Sequence, residues 1–102
     1  MTSPLQYFSP GTNGEIGVGT SQVQGPNIKC KMAIFFADPG NTGVVHLGLS
    51  TGVTASDGST DTTTGIALSA GRDSGWIPFK NLQDAYLIAD AASQSVSYMT
   101  VT

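Results

Sequence analysis

The stretch FFADPGNTGVVHLGLS, residues 35–50, joins two short apolar runs through a compact polar turn. Pro39 presets φ for the turn, Gly40 offers a positive φ, and the side chain of Asp38 can hydrogen-bond nearby backbone. The apolar runs on either side, up to Ala37 and over residues 44–49, have the length of strands. The stretch therefore predicts a β-hairpin in the middle of the chain.

The run before this turn, residues 28–37, shows the longest period-two alternation in the chain. Such alternation is typical of a half-buried strand. One set of alternate residues is entirely apolar, which makes it the predicted core face: Ile28, Cys30, Met32, Ile34 and Phe36. The other set consists of Lys29, Lys31, Ala33, Phe35 and Ala37. We expect its two lysines in solvent, whereas its apolar second half indicates that this end of the strand is covered by other residues on both faces.

Further short strands are predicted on both sides of this stretch. The pattern indicates strands within residues 15–24, 66–68 and 76–79, and a last hairpin formed by residues 85–90 and 95–102. Residues 81–94 could also be read as a helix, but their β-rich neighbours favour a strand. Residues 50–64 are rich in Ser and Thr and predict a long surface loop.

The sum of these elements predicts an all-β fold, a small antiparallel β-sandwich that is either jelly-roll-like or immunoglobulin-like. The length of 102 residues fits one domain, residues 1–102. Residues 1–14 carry prolines and glycines and predict an irregular, extended N-terminal arm. Such an arm could reach a neighbouring protein, and it could equally be a frayed terminus.

Composition excludes several classes of partner. Charged residues make up 11% of the chain, and the four basic residues leave a net charge of -3. A nucleic-acid-binding face or a basic membrane-surface helix needs more positive charge than this chain has, so we expect neither nucleic acid nor membrane as a partner. The N-terminal residues lack a signal-peptide pattern, which predicts synthesis and initial retention in the cytoplasm.

The residues that could carry chemistry are few. His46, the one histidine, is expected to be a partly buried strand residue with a hydrogen bond, and Cys30, the one cysteine, a core residue. Asp57 and Asp61 are read as part of a solvated loop, since the calcium-loop pattern is incomplete. No catalytic, metal or cofactor site is predicted, and the chain is expected not to be an enzyme.

Three aromatic residues are the candidates for an interface. Trp76, the one tryptophan, could be a core residue or an anchor at a contact between subunits. Tyr7 and Phe8 form an aromatic pair in the predicted arm, and they need a surface to cover, either on this chain or on a neighbour.

Residues 28–101 resemble small virion proteins of tailed bacteriophages, of the capsid decoration (cement) type. The resemblance rests on IKCKMAIFFA followed by ADPGNTGVVHLGLS, then GIALSAGRDSGWIPFKNLQDAYLIAD and a closing VSYMTV. It implies a small β-sandwich that binds the major capsid protein on the outer capsid surface as a homotrimer and stabilises the head. The alternative is a tail- or fibre-associated virion sandwich that acts in adhesion or glycan binding. A carbohydrate-binding module and an unrecognised enzyme are the remaining hypotheses.

Overall fold

A computed structural model describes residues 11–55 and 64–102. The described chain contains eight strands and one 3₁₀ turn, Leu82–Asp84. The strands are β1 (Asn13–Val18), β2 (Val23–Gln24), β3 (Met32–Ala37), β4 (Val45–Gly48), β5 (Ile66–Leu68), β6 (Ile77–Pro78), β7 (Tyr86–Ala89) and β8 (Gln94–Val101).

The strands form two four-stranded antiparallel sheets that pack against each other, which confirms the predicted β-sandwich. The first sheet has the order β1-β8-β3-β6 and the second the order β2-β7-β4-β5. Strand pairs are nested along the chain: β1 with β8, β2 with β7, β3 with β6 and β4 with β5. The chain thus resembles one long hairpin rolled up so that successive pairs alternate between the sheets. This is the strand order of a jelly roll, one of the two predicted alternatives.

Both predicted hairpins are wrong, although their strands exist. β3 lies in the first sheet and β4 in the second, so residues 38–44 cross between the sheets instead of turning back. β7 and β8 are separated in the same way. The reason is that turn chemistry determines a local bend, whereas the partner of each strand is chosen by contacts with distant residues.

The crossing at residues 38–44 is held by Asp90, which follows β7, and by Gln94, which begins β8. Gly43 N–H donates to Gln94 Oε1 at 2.8 Å, and Val44 N–H donates to Asp90 Oδ1 at 2.8 Å. Gly40 N–H donates to Asp38 Oδ1 at 2.7 Å, as the turn chemistry predicts. The positive φ expected at Gly40 is wrong, since the described glycines with positive φ are Gly65, Gly71 and Gly75.

The core lies between the two sheets and is built from aliphatic side chains around two phenylalanines. Phe35 and Phe79 meet edge to face, with ring centroids 5.9 Å apart and an interplanar angle of 75°. The largest fully buried side chains are Phe35, Leu47, Leu68, Leu82, Leu87, Val45 and Val96. Burying side chains of this size stabilises the fold by about 1.5–3 kcal/mol each.

The face of β3 that enters the core is the opposite of the predicted one. Ala33, Phe35 and Ala37 are buried between the sheets, whereas Met32 is exposed on the outer side. Ile28 and Cys30 do pack against the core, as predicted. The alternation therefore changes phase between Cys30 and Ala33.

A β-bulge explains this change of phase. Lys31 N–H donates to the Val101 carbonyl at 2.7 Å, while Met32 is the register partner of the same Val101. Two residues of one strand thus lie opposite one residue of its neighbour, and the extra residue turns the following side chains to the other face. The strand accordingly begins at Met32 instead of at the predicted Ile28.

The N-terminal part of the chain departs from the predicted boundaries. β1 begins at Asn13, so the last two residues of the predicted arm belong to a strand, and a break at residues 19–22 separates β1 from β2. Residues 1–10 lie outside the described part. The predicted strand at residues 85–90 is confirmed as β7, and the helix alternative for residues 81–94 reduces to the 3₁₀ turn, which Asn81 caps by accepting from Gln83 N–H.

The described parts of the β4–β5 connection fold back on the second sheet. Val53 is buried, and a Cβ built at Gly48 would lie 2.6 Å from the Val53 Cβ. Gln22 Nε2 donates to the Thr51 carbonyl at 3.0 Å. Residues 56–63, including the acidic pair Asp57 and Asp61, lie outside the described part.

Candidate functional site

The candidate site is an apolar surface on the outside of the first sheet. Antiparallel register places Ile34 beside Met99 and places Met32 between Val101 and Pro78. Because their neighbours along each strand enter the core, these side chains point away from it. We call the following set the apolar outer face: Met32, Ile34, Phe36, Trp76, Pro78, Met99 and Val101.

Trp76 joins this surface through its position beside β6. The β3–β6 register pairs Ala33 with Ile77, the first residue of β6, and Trp76 directly precedes this pair on the side of Ile34. Its side chain is 46% exposed, which makes it a surface residue instead of a core residue. The predicted core position of Trp76 is therefore wrong, and its role as an anchor between subunits stays a prediction.

Exposure of the apolar outer face is uneven. Met32 is 36% exposed and Met99 is 48% exposed, whereas Ile34 is only 8% exposed. A well-packed centre with large, partly exposed side chains around it is the arrangement found at the core of protein interfaces. Isolated exposed hydrophobic residues are ordinary, but neighbouring ones on three strands form a patch that requires an explanation.

Charge is absent from the strands that carry this face. The sequences of β3, β6 and β8 contain no Asp, Glu, Lys or Arg. The polar border is formed by outward residues of β1 and the start of β8, namely Asn13, Glu15, Ser95 and Ser97. Further exposed charges of the described residues lie beside this face, at Asp73 opposite Phe36 and at Lys31 before Met32. An apolar surface with a polar and charged border suits contact with another protein better than contact with nucleic acid.

A cavity of about 620 Å³ lies where β1 meets this surface. Its walls include Phe36 and Met99 from the apolar outer face, with Glu15 and Ser97 on the polar side. The side chains that line it combine apolar and polar chemistry without a histidine or cysteine.

The two aromatic residues predicted beside Trp76, Tyr7 and Phe8, lie outside the described residues. Met32 and Met99 are contributors that sequence analysis missed. The signal for Met99 is the alternation in QSVSYMTV, where every second residue is buried and Met99 falls in the outward set. No comparable signal exists for Met32, because the bulge before it reverses the pattern.

His46 occupies the middle of β4 and is 4% exposed. The predicted burial is confirmed, and Nδ1 of the ring is buried without a hydrogen-bond partner. Within residues 11–55 and 64–102, no group of three or more His, Cys, Asp or Glu side chains could hold a metal ion. The described residues also include no helix long and apolar enough to span a membrane.

Cys30 is half-buried at the edge of the core, and its Sγ–H donates to the Phe79 carbonyl at 3.3 Å. Desolvation by burial, with a smaller contribution from the charge of Asp84, raises the pKa of the Cys30 thiol. A raised pKa keeps the group as a neutral thiol near pH 7, which opposes a nucleophilic role.

Comparisons with known proteins give little beyond this geometry. No protein-family model matches the chain, and no curated protein matches it. A solved structure of Bacillus endospore appendages, described as a family of disulfide-linked pili, shares 14% sequence identity with a TM-score of 0.47. The similarity covers 91% of this chain and 86% of that chain. A similarity at this level carries no inference about what the chain does.

Proposed function

We propose that this chain is a non-enzymatic decoration (cement) protein of a tailed-bacteriophage capsid. It binds the major capsid protein on the outer surface of the virion, as a homotrimer, after synthesis in the bacterial cytoplasm. The observation that supports this proposal is the apolar outer face, in which Met32 and Met99 are exposed on strands without charged residues and Trp76 is exposed just before β6. The resemblance of residues 28–101 to decoration proteins supplies the identity of the partner.

The apolar outer face suits a docking role because its side chains are those that contribute most to interfaces. Trp and Met are enriched at the buried centre of protein contacts, and truncating a central Trp costs about 2 kcal/mol or more of binding free energy. The rigid sheet beneath these side chains reduces the entropy lost on binding. Such a surface binds a preformed partner without needing a catalytic group.

Decoration stabilises the head by mass action. A protein that binds the mature shell but not its dissociated subunits stabilises the shell in proportion to RT ln(1 + [L]/Kd). Three-fold symmetry increases this effect, because the second and third contacts form at a high effective concentration. Heads stripped of this protein should therefore lose resistance to heat, and adding the protein back should restore it.

The first test is a cryo-electron map of the virion that carries this protein. Density on the outer head supports decoration, and density on the tail or fibres alone supports the alternative, a tail- or fibre-associated sandwich. Absence from the particle would contradict both.

The second test is binding of purified variants to stripped heads. Trp76→Ser should weaken binding about 30-fold or more, as expected for loss of a central anchor. Leu49→Ser is the matched control, since Leu49 is 67% exposed but follows β4 of the second sheet, away from the apolar outer face. Equal binding by the two variants would exclude this face as the contact.

A further inference from the structure

Within residues 11–55 and 64–102, the outer edge of β1 is an open edge of the first sheet. Within the described residues, β1 pairs with β8 alone, over its whole length of six residues. The other edge strands are shorter: β2 and β6 have two residues each and β5 has three, and β6 contains a proline. β1 has neither proline nor lysine, the residues that usually protect a sheet edge from pairing with another strand.

Hydrogen bonding to β8 identifies which backbone groups of β1 are free. Thr100 N–H donates to the Thr12 carbonyl at 2.8 Å, and Thr12 N–H donates to Thr100 Oγ1 at 2.9 Å. Along an antiparallel strand, the backbone N–H and C=O groups of successive residues point alternately to one side of the strand and to the other. Those of the even-numbered residues of β1 therefore point towards β8. The N–H and C=O groups of Asn13, Glu15 and Gly17 therefore point to the open edge.

We propose that β1 pairs antiparallel with β1 of a second copy of this chain, around a two-fold axis at Ile16. Glu15 then forms a hydrogen-bonded pair with Gly17 of the second copy, and the reverse pair forms by symmetry. Each of these two pairs has two hydrogen bonds, and all four use backbone N–H and C=O groups of β1 that point to the open edge. Ile16, which is half-buried at the edge of the core, lies opposite its own symmetry mate and gains apolar contact.

Charge and hydrogen bonding favour this register over the two registers whose axis is shifted by one residue, to Glu15 or to Gly17. An axis at Glu15 would place two like carboxylates directly opposite each other, which is destabilising. An axis at Gly17 would require the Gly19 carbonyl, which already accepts from Ala89 N–H at 2.8 Å. The axis at Ile16 places each Glu15 opposite Gly17 of the second copy, so no second charge lies directly across from it.

The pairing joins two four-stranded sheets into one sheet of eight strands. An axis perpendicular to the sheet leaves both apolar outer faces on the same side, so the pair offers a docking surface twice as wide. The pairing is a two-fold contact of the free chain and is separate from the three-fold arrangement proposed on the head. Its consequence for docking rests on the proposed function, whereas the pairing itself does not.

The test is sedimentation velocity of the full chain over a concentration series. Gly17→Pro removes an outward N–H and places a ring on the open edge, while the bonds to β8 stay. Gly17→Thr is the matched control, because no atom lies within 4 Å of a Cβ at this position and threonine favours strands. The wild type and Gly17→Thr should form dimers, and Gly17→Pro should raise the dimer dissociation constant about tenfold or more.

Cysteine cross-linking tests the register and does not depend on the proline variant folding. In a Cys30→Ser background, Ile16→Cys places two thiols across a non-hydrogen-bonded pair, where Cα atoms about 4.5 Å apart permit a disulfide. Oxidised glutathione should cross-link Ile16→Cys at least several-fold faster than Gly17→Cys. Three outcomes would overturn the pairing. The wild type could be a monomer at every concentration, or its dimer or trimer could be unaffected by Gly17→Pro when that variant is folded. The third outcome is equal cross-linking of the two cysteine variants. Head binding by a folded monomer would still support decoration, so the two proposals fail separately.

Discussion

Asn41 and Ser95 are 54 residues apart in the sequence, yet Asn41 binds both backbone groups of Ser95. Asn41 Nδ2 donates to the Ser95 carbonyl at 2.9 Å, and Ser95 N–H donates to Asn41 Oδ1 at 2.9 Å. The Asn41 side chain thereby connects the segment that follows β3 with the beginning of β8. An amide is the one side-chain group of this size that offers both a donor and an acceptor in this geometry.

Loss of this paired contact should destabilise the fold. Asn41→Ala leaves the Ser95 N–H without its partner, whereas the Ser95 carbonyl still accepts from Asp38 N–H at 3.0 Å, so we expect the free energy of unfolding to fall by about 1–2 kcal/mol. Urea unfolding measured by circular dichroism checks this value. Asn41→Asp should also destabilise, since a carboxylate cannot donate to the Ser95 carbonyl, whereas exposed Thr20→Ala should stay within about 0.5 kcal/mol of the wild type. A neutral Asn41→Ala would mean that water replaces the amide.

The close approach of Gly48 and Val53 predicts an intolerance to a single methyl group. Gly48→Ala would bring its Cβ within 2.6 Å of the Val53 Cβ, so either the strand or the folded-back loop must shift. We expect a loss of about 1–3 kcal/mol in unfolding free energy. Gly19→Ala is the matched control, because no atom lies within 4 Å of a Cβ there. Equal thermal midpoints for the two variants would show that the loop moves without cost.

The unpartnered Nδ1 of His46 predicts that an apolar residue would serve as well at this position. His46→Leu removes a buried polar atom that has no hydrogen-bond partner and keeps most of the volume, so stability should stay within about 1 kcal/mol or rise. His46→Ala leaves a cavity and should cost about 2–4 kcal/mol. Chemical denaturation of both variants distinguishes these effects. A large loss with leucine would indicate that the imidazole has a specific role.

The environment of Cys30 predicts slow reaction with thiol reagents. Its raised pKa and its hydrogen bond to the Phe79 carbonyl both favour the neutral thiol, which is the less reactive form. At pH 7–8, alkylation of the folded chain should be several-fold slower than that of the chain unfolded in urea, and the rate should rise with pH through and above the usual range of a free thiol. Mass spectrometry measures both rates, and Cys30→Ser gives the baseline. Equal rates in the folded and unfolded chains would contradict this protection.

The candidate site was predictable only in part. Trp76 could be selected from the sequence only as a candidate interface residue, because a single tryptophan suits both a core position and a contact between subunits, and its exposure required the position of β6. The contribution of Met32 could not be predicted, since the bulge at Lys31 reverses the face on which later residues lie. Gly40 shows the same limit at a turn, which closes without the positive φ that its glycine permits.

The amino-acid sequence by itself determined the β class of this protein and the position of most strands. Alternation, turn residues and low charge are local properties, and they place β4, β5 and β7 close to their observed bounds. Only the tertiary structure decided which strands pair and which face of β3 enters the core. Each sheet buries one face against the other sheet, and this burial is satisfied by pairing β1 with β8 and β3 with both β8 and β6. These contacts join residues far apart in the chain, so the chain crosses between sheets where local turn chemistry predicts a hairpin.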